Sequence, residues 1–373
     1  MAYIIKGRIM LFKTKNIYRK RGIAVGEKKW WRLREIPDLD VEMEEAARKR
    51  VRSLTKPVGS LGMLEEIFIR LAGITGETIP DIRKKAVVVM CGDHGVAQAG
   101  VSAYPQEVTG LMMENFLRGK AAVNVLAELA RATVIVADLG SLLEPVPEGV
   151  IDCKVRKGTR NFLEEPAMTV SEVIQAVEVG VRLAHQLGGQ GVRLIAPGEM
   201  GIGNTTSASA LAAALTGKDV GALTGRGTGI TDENLVRKQE VIRQALALHQ
   251  PGNAMEALIC VGGLEIAGMV GLYLGAAQMR MAAVMDGLIS TVAAAIAVEM
   301  EPEVKSYLFA SHLSAEPAHR ILLNRLQLTP LITAEMRLGE ASGASLAFPL
   351  FDAAVALAER MATFADLGLP EPD

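Results

Sequence analysis

A continuous apolar run at Ala86–Cys91, with the sequence AVVVMC, constrains the fold more than any other segment of the chain. Such a Val-rich run is typical of a strand buried on both faces, as the strands of parallel sheets are. Further strands are predicted at Thr133–Asp138 and Val192–Ala196, and segments with helical periodicity separate them. This alternation, with right-handed crossovers, predicts an α/β protein with a mostly parallel, doubly wound sheet.

Helices are predicted before, between and after these strands. An amphipathic helix starts near Asp38 and continues to Arg52, the segment Lys56–Gly62 interrupts it, and a second helix covers Leu64–Leu71. Because both precede the first strand, we expect them to form a small helical cap outside the sheet layers. The other predicted helices are Val108–Arg118, Ala121–Ala130, Ser171–Leu187, Ser207–Leu215 and Leu346–Ala358.

The composition excludes a disordered chain and leaves ample material for a core. Half of the residues are hydrophobic, only 4% are aromatic and 37 are Gly, which indicates tight packing of small side chains. Two apolar segments, Ala257–Met279 and Ala282–Val298, contain Glu265 and Asp286. A charge at the bilayer centre costs roughly 2.5–3.5 kcal/mol on insertion scales. We therefore predict two buried helices of a soluble protein, with no membrane partner.

The net charge of only −2 predicts no nucleic-acid partner, but the charge is unevenly distributed. Residues 1–36 contain 11 Lys and Arg against two acids, and the remaining chain is acidic. We interpret residues 1–36 as a flexible basic extension or an over-extended start of the reading frame. A nucleic-acid or membrane-surface arm is the alternative, although no motif supports it.

The cysteines and the N-terminus favour a cytoplasmic protein. Cys91, Cys153 and Cys260 are far apart and form no CxxC motif, which argues against a disulfide framework and a zinc site. The apolar stretch Ile4–Phe12 is interrupted by two basic residues and is not followed by a small-residue cleavage site, so no secretory signal is expected. With five His and no metal-type spacing, no metal site is expected either.

Polar, glycine-rich segments follow the three predicted strands at Gly92–Gly95, Asp138–Gly140 and Gly198–Gly201. In an open parallel sheet the ligand crevice lies outside the carboxyl ends of the strands. We therefore expect the three segments to converge on one site. Asp93 is expected to order loops or to bind a ligand hydroxyl, and a structural and a ligand-binding role stay open for His94.

The strongest local motif is PGEMGIGNTT at Pro197–Thr206, between a strand and a helix of small residues. Its three glycines allow close approach of a ligand to the backbone, and Asn204–Thr206 can cap the helix. A helix N-terminus with free N–H groups favours phosphate. The motif is neither a Walker loop nor GxGxxG, and an ordinary capped turn is the alternative.

A second glycine-rich loop, Gly225–Gly229, precedes a charged helix that contains Arg237 and Lys238. Two such loops with nearby cations suit a phosphorylated ligand. For Lys238 alone, a solvated helix face is the alternative interpretation.

Near the C-terminus, Glu340 lies among small residues in the motif Arg337–Ala344, ahead of an apolar helix. A carboxylate in a partly apolar pocket has a raised pKa and is a competent base near neutral pH. The alternative is a Glu near the first helical turn, stabilised by the helix dipole. The absence of GxSxG, of a Cys/His pairing and of paired carboxylates gives no indication of nucleophilic catalysis.

Taken together, seven motifs in this order resemble the nicotinate-nucleotide–dimethylbenzimidazole phosphoribosyltransferase family, from about Asp38 to about Phe364. The resemblance implies transfer of the 5-phosphoribosyl group of nicotinate mononucleotide to 5,6-dimethylbenzimidazole, without a cofactor, in cobalamin assembly. The motifs are KPVGSLGMLE (Lys56–Glu65), GDHGV (Gly92–Val96), VSAYPQEVT (Val101–Thr109), PGEMGIGNTT, GRGTG (Gly225–Gly229), SHLSAEPAH (Ser311–His319) and RLGEASGA.

The resemblance also implies an architecture and a set of site residues. It implies a homodimer with a large Rossmann-like three-layer α/β/α domain at residues 85–330 and a small helical domain from residues 37–84 and 331–373. Glu340 matches the general base, Lys238 matches a phosphate-binding Lys by order and spacing, and Ala341 replaces a Gly of many relatives. The other implied or predicted substrate-binding residues are Glu199, Gly201, Gly203, Asn204, Thr205, Gly227, Gly229, Asp93, Met113 and Arg337.

Two other functions fit the sequence less well. A non-catalytic nucleotide-binding or base-binding protein on the same scaffold would have no use for Glu340. A Rossmann oxidoreductase would require GxGxxG after its first strand and an acid about 20 residues further on, and this chain lacks that pattern.

Overall fold

The computed structural model describes residues 34–227 and 229–370, together with two short N-terminal strands, β1 (Ile4–Ile5) and β2 (Arg8–Ile9), which pair antiparallel. The predicted flexible extension, residues 1–36, lies almost entirely outside the described residues.

Six parallel strands form the central sheet in the order β5-β4-β3-β6-β7-β8. Their bounds are β3 (Lys85–Gly92), β4 (Ala132–Gly140), β5 (Ile151–Asp152), β6 (Leu194–Met200), β7 (Ala282–Met285) and β8 (Leu308–Ala310). The order reverses between β3 and β6, which creates a switch point where a crevice opens at the carboxyl ends of the strands. The predicted α/β fold with a doubly wound parallel sheet is confirmed.

Strand β3 is buried along its entire length, as its continuous apolar sequence predicts. It lies between two partners: Val88 is opposite Ile135 of β4 and Pro197 of β6. The helices of the described part are α1 (Val41–Ser53), α2 (Met63–Thr75), α3 (Glu107–Leu117), α4 (Ala122–Leu129), α5 (Val170–Gly189), α6 (Asn204–Thr216), α7 (Val220–Leu223), α8 (Asp232–His249), α9 (Ala254–Val261), α10 (Leu264–Gln278), α11 (Leu288–Met300), α12 (Pro317–Leu326) and α13 (Ser342–Arg360). Short 3-10 helices occupy Gly95–Ala99, Pro302–Tyr307 and Ala365–Leu367.

Small residues allow the helices to pack at backbone distance. A Cβ on Gly180 of α5 would clash with the carbonyl oxygen of Gly268 in α10, and a Cβ on Gly271 would clash with that of Val177. The many Gly and Ala residues are therefore used where α5 and α10 touch. Such close packing explains a largely apolar sequence with few aromatic residues.

Both predicted apolar segments are buried, but neither is a single helix. The first breaks at Gly262–Gly263 into α9 and α10. A Cβ on Gly263 would clash with the ring of His94, so only Gly fits there. In the second, Ala282–Met285 is strand β7 and the helix starts only at Leu288. The prediction was wrong there because an apolar run does not distinguish a buried strand from a buried helix. No helix of the described part is long and apolar enough to cross a membrane.

The two ends of the described chain meet. The guanidinium Nε of Arg50 in α1 donates to the carbonyl oxygen of Ala358 in α13 at 2.8 Å, and the backbone N–H of Phe364 donates to the carbonyl oxygen of Ser53 at 2.9 Å. These contacts support the proposal of a small helical domain built from residues 37–84 and 331–373.

Candidate active site

The candidate site lies at the carboxyl ends of β6 and β7. Glu199 is near the end of β6, Asp286 follows β7, and residues 337–341, here called the Glu340 loop, come in from the C-terminal part of the chain. A Cβ on Gly198 would lie 2.9 Å from the carbonyl carbon and oxygen of Glu340, so only Gly gives this loop room against β6.

Glu199 is buried and is hydrogen-bonded to groups on both sides. Its carboxylate accepts from the side-chain amide of Asn204, and its Oε1 lies 3.4 Å from the backbone N–H of Glu340. Burial, reinforced by the negative charge of Asp286, raises the pKa of Glu199 to about 8. The predicted nucleotide loop therefore contains a carboxyl group that is mostly protonated at neutral pH.

Glu340 is 7% exposed, and its Oε2 has no hydrogen-bond partner within the described part of the chain. It lies two residues before α13, but its carboxylate accepts from the backbone N–H of Val123, in the first turn of α4. Burial raises the pKa of Glu340 to about 7, although that hydrogen bond acts in the opposite direction. A carboxylate with this pKa can accept a proton near neutral pH.

Lys238 lies on α8 with its side chain fully buried. Its Nζ donates to Thr205 Oγ1 at 3.0 Å and to the carbonyl oxygen of Gly225 at 3.2 Å. Burial lowers the pKa of Lys238 to about 8, and the negative charge of Glu316 opposes that shift. The alternative interpretation of Lys238 as part of a solvated helix face is wrong, because this cation joins the two glycine-rich loops.

The second glycine-rich loop is held from two sides at Gly227. Its N–H donates to Glu316 Oε1 at 3.0 Å, and its carbonyl oxygen accepts from Arg337 Nη1 at 3.1 Å. Gly227 has φ of 51°, and a Cβ there would press on the hydroxyl of Thr205. The structure therefore brings together the predicted residues of both glycine-rich loops and of the Glu340 loop.

In the first glycine-rich loop, a Cβ on Gly201 would clash with the Gly92 carbonyl oxygen. Gly203 has φ of 99° and precedes Asn204, the first residue of α6. Gly229, in the second loop, has φ of 94°. The N-terminus of α6 thus lies between β6 and Lys238. This helix N-terminus is where the motif predicts that an anion binds.

Two predicted residues lie on the β3 side of the sheet. Both oxygens of the Asp93 carboxylate accept hydrogen bonds, from the Thr109 hydroxyl at 2.7 Å and from the Leu142 backbone N–H at 2.9 Å. This geometry favours a loop-ordering role for Asp93. Met113 is fully buried in α3. At the end of β4, Asp138 likewise stabilises the loop that follows it, because its carboxylate accepts hydrogen bonds from the backbone N–H groups of Gly140 and Ser141.

Sequence reasoning missed several ionisable residues at the carboxyl edge of the sheet. Glu316 has a buried Oε2 without a partner in the described part. Glu265 is fully buried, and its Oε1 lies 2.6 Å from Nε2 of His94, a residue that the sequence had already singled out. Glu265 and Asp286 each stand out in the sequence as an acid inside an apolar segment. This signal was interpreted only as evidence against a membrane helix. A cavity between the loops is lined by Glu199, Thr205, Asp286, Ser290, Glu316 and Arg337. Among the described residues, no group of three or more His, Cys, Asp or Glu could hold a metal ion.

The fold defines a Rossmann-like α/β protein, and its candidate ligand site lies at the carboxyl edge of the sheet. A family model described as phosphoribosyltransferase matches residues 36–369. The chain belongs to this family, which confirms the resemblance seen in its motifs, and it is a phosphoribosyltransferase.

Relatives and solved structures agree with this assignment. Proteins named nicotinate-nucleotide–dimethylbenzimidazole phosphoribosyltransferase from Chloroflexus aggregans and Ruminiclostridium cellulolyticum are 50% and 45% identical over 91% and 90% of this chain, and the matches cover 97% and 96% of those proteins. The crystal structure of CobT from Thermus thermophilus has a TM-score of 0.85 at 44% identity and covers 89% of this chain and 100% of that one.

Proposed function

We propose that the protein transfers the 5-phosphoribosyl group of nicotinate mononucleotide to 5,6-dimethylbenzimidazole. The products are α-ribazole 5′-phosphate, used for the lower ligand of cobalamin, and nicotinate. The observation that carries the proposal is the buried Oε2 of Glu340 at the carboxyl edge of the sheet, which has no partner among the described residues and belongs to a carboxyl group with pKa of about 7. The names of the relatives support the two substrates.

In the proposed reaction, Glu340 is the general base. One benzimidazole nitrogen attacks C1′ and forms the new bond, while the bond from C1′ to nicotinate breaks and its electron pair stays on the nicotinate ring nitrogen. Glu340 takes the N–H proton from the other benzimidazole nitrogen. Attack from the face opposite nicotinate converts a β into an α N-glycosidic bond. Proton transfer of this kind contributes roughly 10²–10⁴-fold to the rate, and orientation of two bound partners contributes at least as much.

Local groups hold the anionic nucleotide in this proposal, because the enzyme outside its basic extension is acidic. The positive end of the α6 dipole suits a phosphate, and the Lys238 ammonium lies beside Thr205 in the first turn of that helix. Glu199, mostly protonated at neutral pH, adds no full negative charge next to the ligand. The reaction as written needs neither a metal nor a redox cofactor.

The direct test is to incubate the purified protein with nicotinate mononucleotide and a panel of benzimidazoles, adenine and phenolics. We expect release of nicotinate together with an α-riboside 5′-phosphate, identified by mass and by its NMR coupling pattern. Reactions without an acceptor base control for simple hydrolysis. If nicotinate is released equally with and without a base, or if only a β-riboside forms, the proposed function is wrong.

We also infer a cytoplasmic homodimer. Exposed apolar side chains on two consecutive helices support a protein interface: Leu111 of α3 and Val125 and Leu129 of α4 are each more than half exposed. Light scattering of the full chain should give twice the mass of 39.7 kDa, and the double substitution Val125→Glu with Leu129→Glu should give the monomer mass. A monomeric unsubstituted protein would contradict the dimer.

A further inference from the structure

Asp286 follows β7 and is 2% exposed. Its carboxylate accepts hydrogen bonds from backbone N–H groups at the start of α13. Its Oδ2 accepts from Ala341 at 3.1 Å, and its Oδ1 accepts from Gly343 at 2.8 Å and from Ala344 at 3.1 Å. All of these groups are donors, so they favour the ionised carboxylate and oppose the burial that raises the pKa of Asp286. An anion at this position also interacts favourably with the N-terminal end of the α13 dipole.

The Glu340 loop needs such a hold because its backbone is strained. Gly339, Glu340 and Ala341 have consecutive φ angles of 90°, 63° and 62°. The left-handed region is sterically unfavourable for a residue with a side chain. On the opposite side, Gly198 of β6 contacts the same loop, so Glu340 is fixed between β6 and the Asp286 carboxylate.

The charged groups around Asp286 come from three other elements. His312, which follows β8, has its Nδ1 3.9 Å from Asp286 Oδ1. Glu199 of β6 and Glu340 itself are the neighbouring acids, and the negative charge of Asp286 helps to raise the pKa of both. Burial lowers the pKa of His312, so a neutral imidazole faces Asp286 at neutral pH.

We propose that Asp286 is a positioning residue for the reaction: its carboxylate holds the start of α13 so that Glu340 faces the bound base. This proposal rests on the proposed function, since it assigns Glu340 as the base. Asp286 accepts hydrogen bonds from the backbone on the C-terminal side of Glu340. It therefore acts on the geometry of proton transfer and leaves binding of the nucleotide phosphate to the glycine-rich loops.

The test is Asp286→Asn in the full chain, with kcat, both KM values and the pH profile measured. The amide keeps the volume, but it removes the negative charge and can turn a donor toward the Ala341 N–H. We expect kcat to fall about 100-fold, the effect of an ångström-scale misplacement, with KM for nicotinate mononucleotide within about 2-fold. Loss of the charge lowers the pKa of Glu340, so the acid limb of the profile should move to lower pH. Wild-type kcat with an unmoved acid limb would overturn the proposal.

Asp138→Asn is the matched control, since Asp138 is also a buried strand-end carboxylate that receives backbone N–H groups, here from Gly140 and Ser141. It should lower thermal stability and leave the acid limb in place. An equal shift of that limb in both variants would overturn the proposal.

Two further variants make the test decisive. If Asp286→Asn does not fold, Gly198→Ala displaces the Glu340 loop from the β6 side with every charge retained, and its kcat should fall with the acid limb unmoved. A Gly198→Ala enzyme with wild-type kcat would overturn the proposal. Glu340→Gln separates the two hypotheses. If Glu340→Gln is inactive while Asp286→Asn behaves like wild type, only the positioning role fails. If Glu340→Gln retains full turnover, the base assignment fails, and the positioning role that rests on it fails too, while the transfer reaction itself stands.

Discussion

The carboxylate of Glu340 accepts a hydrogen bond from the backbone N–H of Val123, in the first turn of α4. This contact orients one side of the carboxyl group, while Oε2 is buried without a partner in the described part of the chain. A buried acceptor without a partner costs free energy, which a substrate N–H would recover on binding. The hydrogen bond from Val123 therefore orients the Glu340 carboxyl group, while Oε2 stays available to accept a proton, as a general base requires.

Glu340→Gln should retain the fold and nucleotide binding but lose most of the turnover. The amide has nearly the same shape and can still accept from Val123, but it cannot take a proton. We expect kcat to fall by roughly 10²–10⁴-fold, the usual contribution of a positioned base. The measurement is steady-state kinetics together with the thermal unfolding midpoint. Glu335→Gln, an exposed Glu that precedes the same loop, is the control and should keep wild-type kcat. A Glu340→Gln enzyme at the wild-type rate would show that the base assignment is wrong.

The pH dependence of turnover should show an acid limb near pH 7. Burial raises the pKa of Glu340 to about 7, and only the ionised carboxylate accepts a proton. Below that pH, kcat/KM for the base should fall about tenfold per pH unit, and above it the profile should level off. The measurement is made at saturating nucleotide and constant ionic strength. Phosphate and benzimidazole also titrate near pH 6, so their ionisation is measured separately and corrected for. A corrected profile that is flat from pH 6 to 8 contradicts this prediction.

The sequence predicted the parts of the fold and site that depend on local pattern. The apolar run of β3 has a short-range signature, so the parallel sheet was predicted correctly, and the glycines after β6 led to the prediction of a ligand site at its carboxyl edge. The apolar sequence of β7 has no such signature, since Ala282–Met285 is as apolar as the helix that follows. Only its pairing with β6 and β8 determines that it is a strand.

Within the site, contacts between residues distant in the chain were beyond the sequence. Glu316, whose charge opposes the pKa shift of Lys238, lies 78 positions further along the chain. In addition, the charged sequence of α8 does not indicate that Lys238 is buried. Asp286 meets the start of α13 only because β7 and β6 are neighbours. These relationships arise from strand order and loop packing, which no window of sequence contains.

Glu199→Gln should make the protein more stable at alkaline pH. The pKa of Glu199 is about 8 in the folded protein, against 4.5 for an ordinary Glu, so the folded state binds the extra proton between those values. Stability from this group is therefore full below about pH 4.5 and falls as pH rises through 8, by at most about 1.4 kcal/mol per pH unit. Gln mimics the protonated form, so the thermal midpoint of the variant should fall less between pH 6 and 9.

The exposed Glu45, on α1, supplies the control for this stability experiment. Glu45→Gln should reproduce the wild-type pH dependence of the thermal midpoint. If Glu199→Gln and Glu45→Gln give the same curve, Glu199 is ionised in the folded protein at neutral pH and its inferred protonation is wrong.

Lys238→Ala should raise KM for nicotinate mononucleotide far more than KM for the base. The buried ammonium lies beside Thr205 and Gly225 at the junction of the two glycine-rich loops, so it is placed for the phosphate and not for Glu340. Loss of one charge-assisted hydrogen bond costs about 1.5–3 kcal/mol, which corresponds to a rise in KM of roughly 10–150-fold. Arg243→Ala, an exposed cation on the same helix, is the control and should leave both KM values unchanged. Kinetics with each substrate varied in turn give the two KM values, and equal increases in both would show that Lys238 does not act on the phosphate.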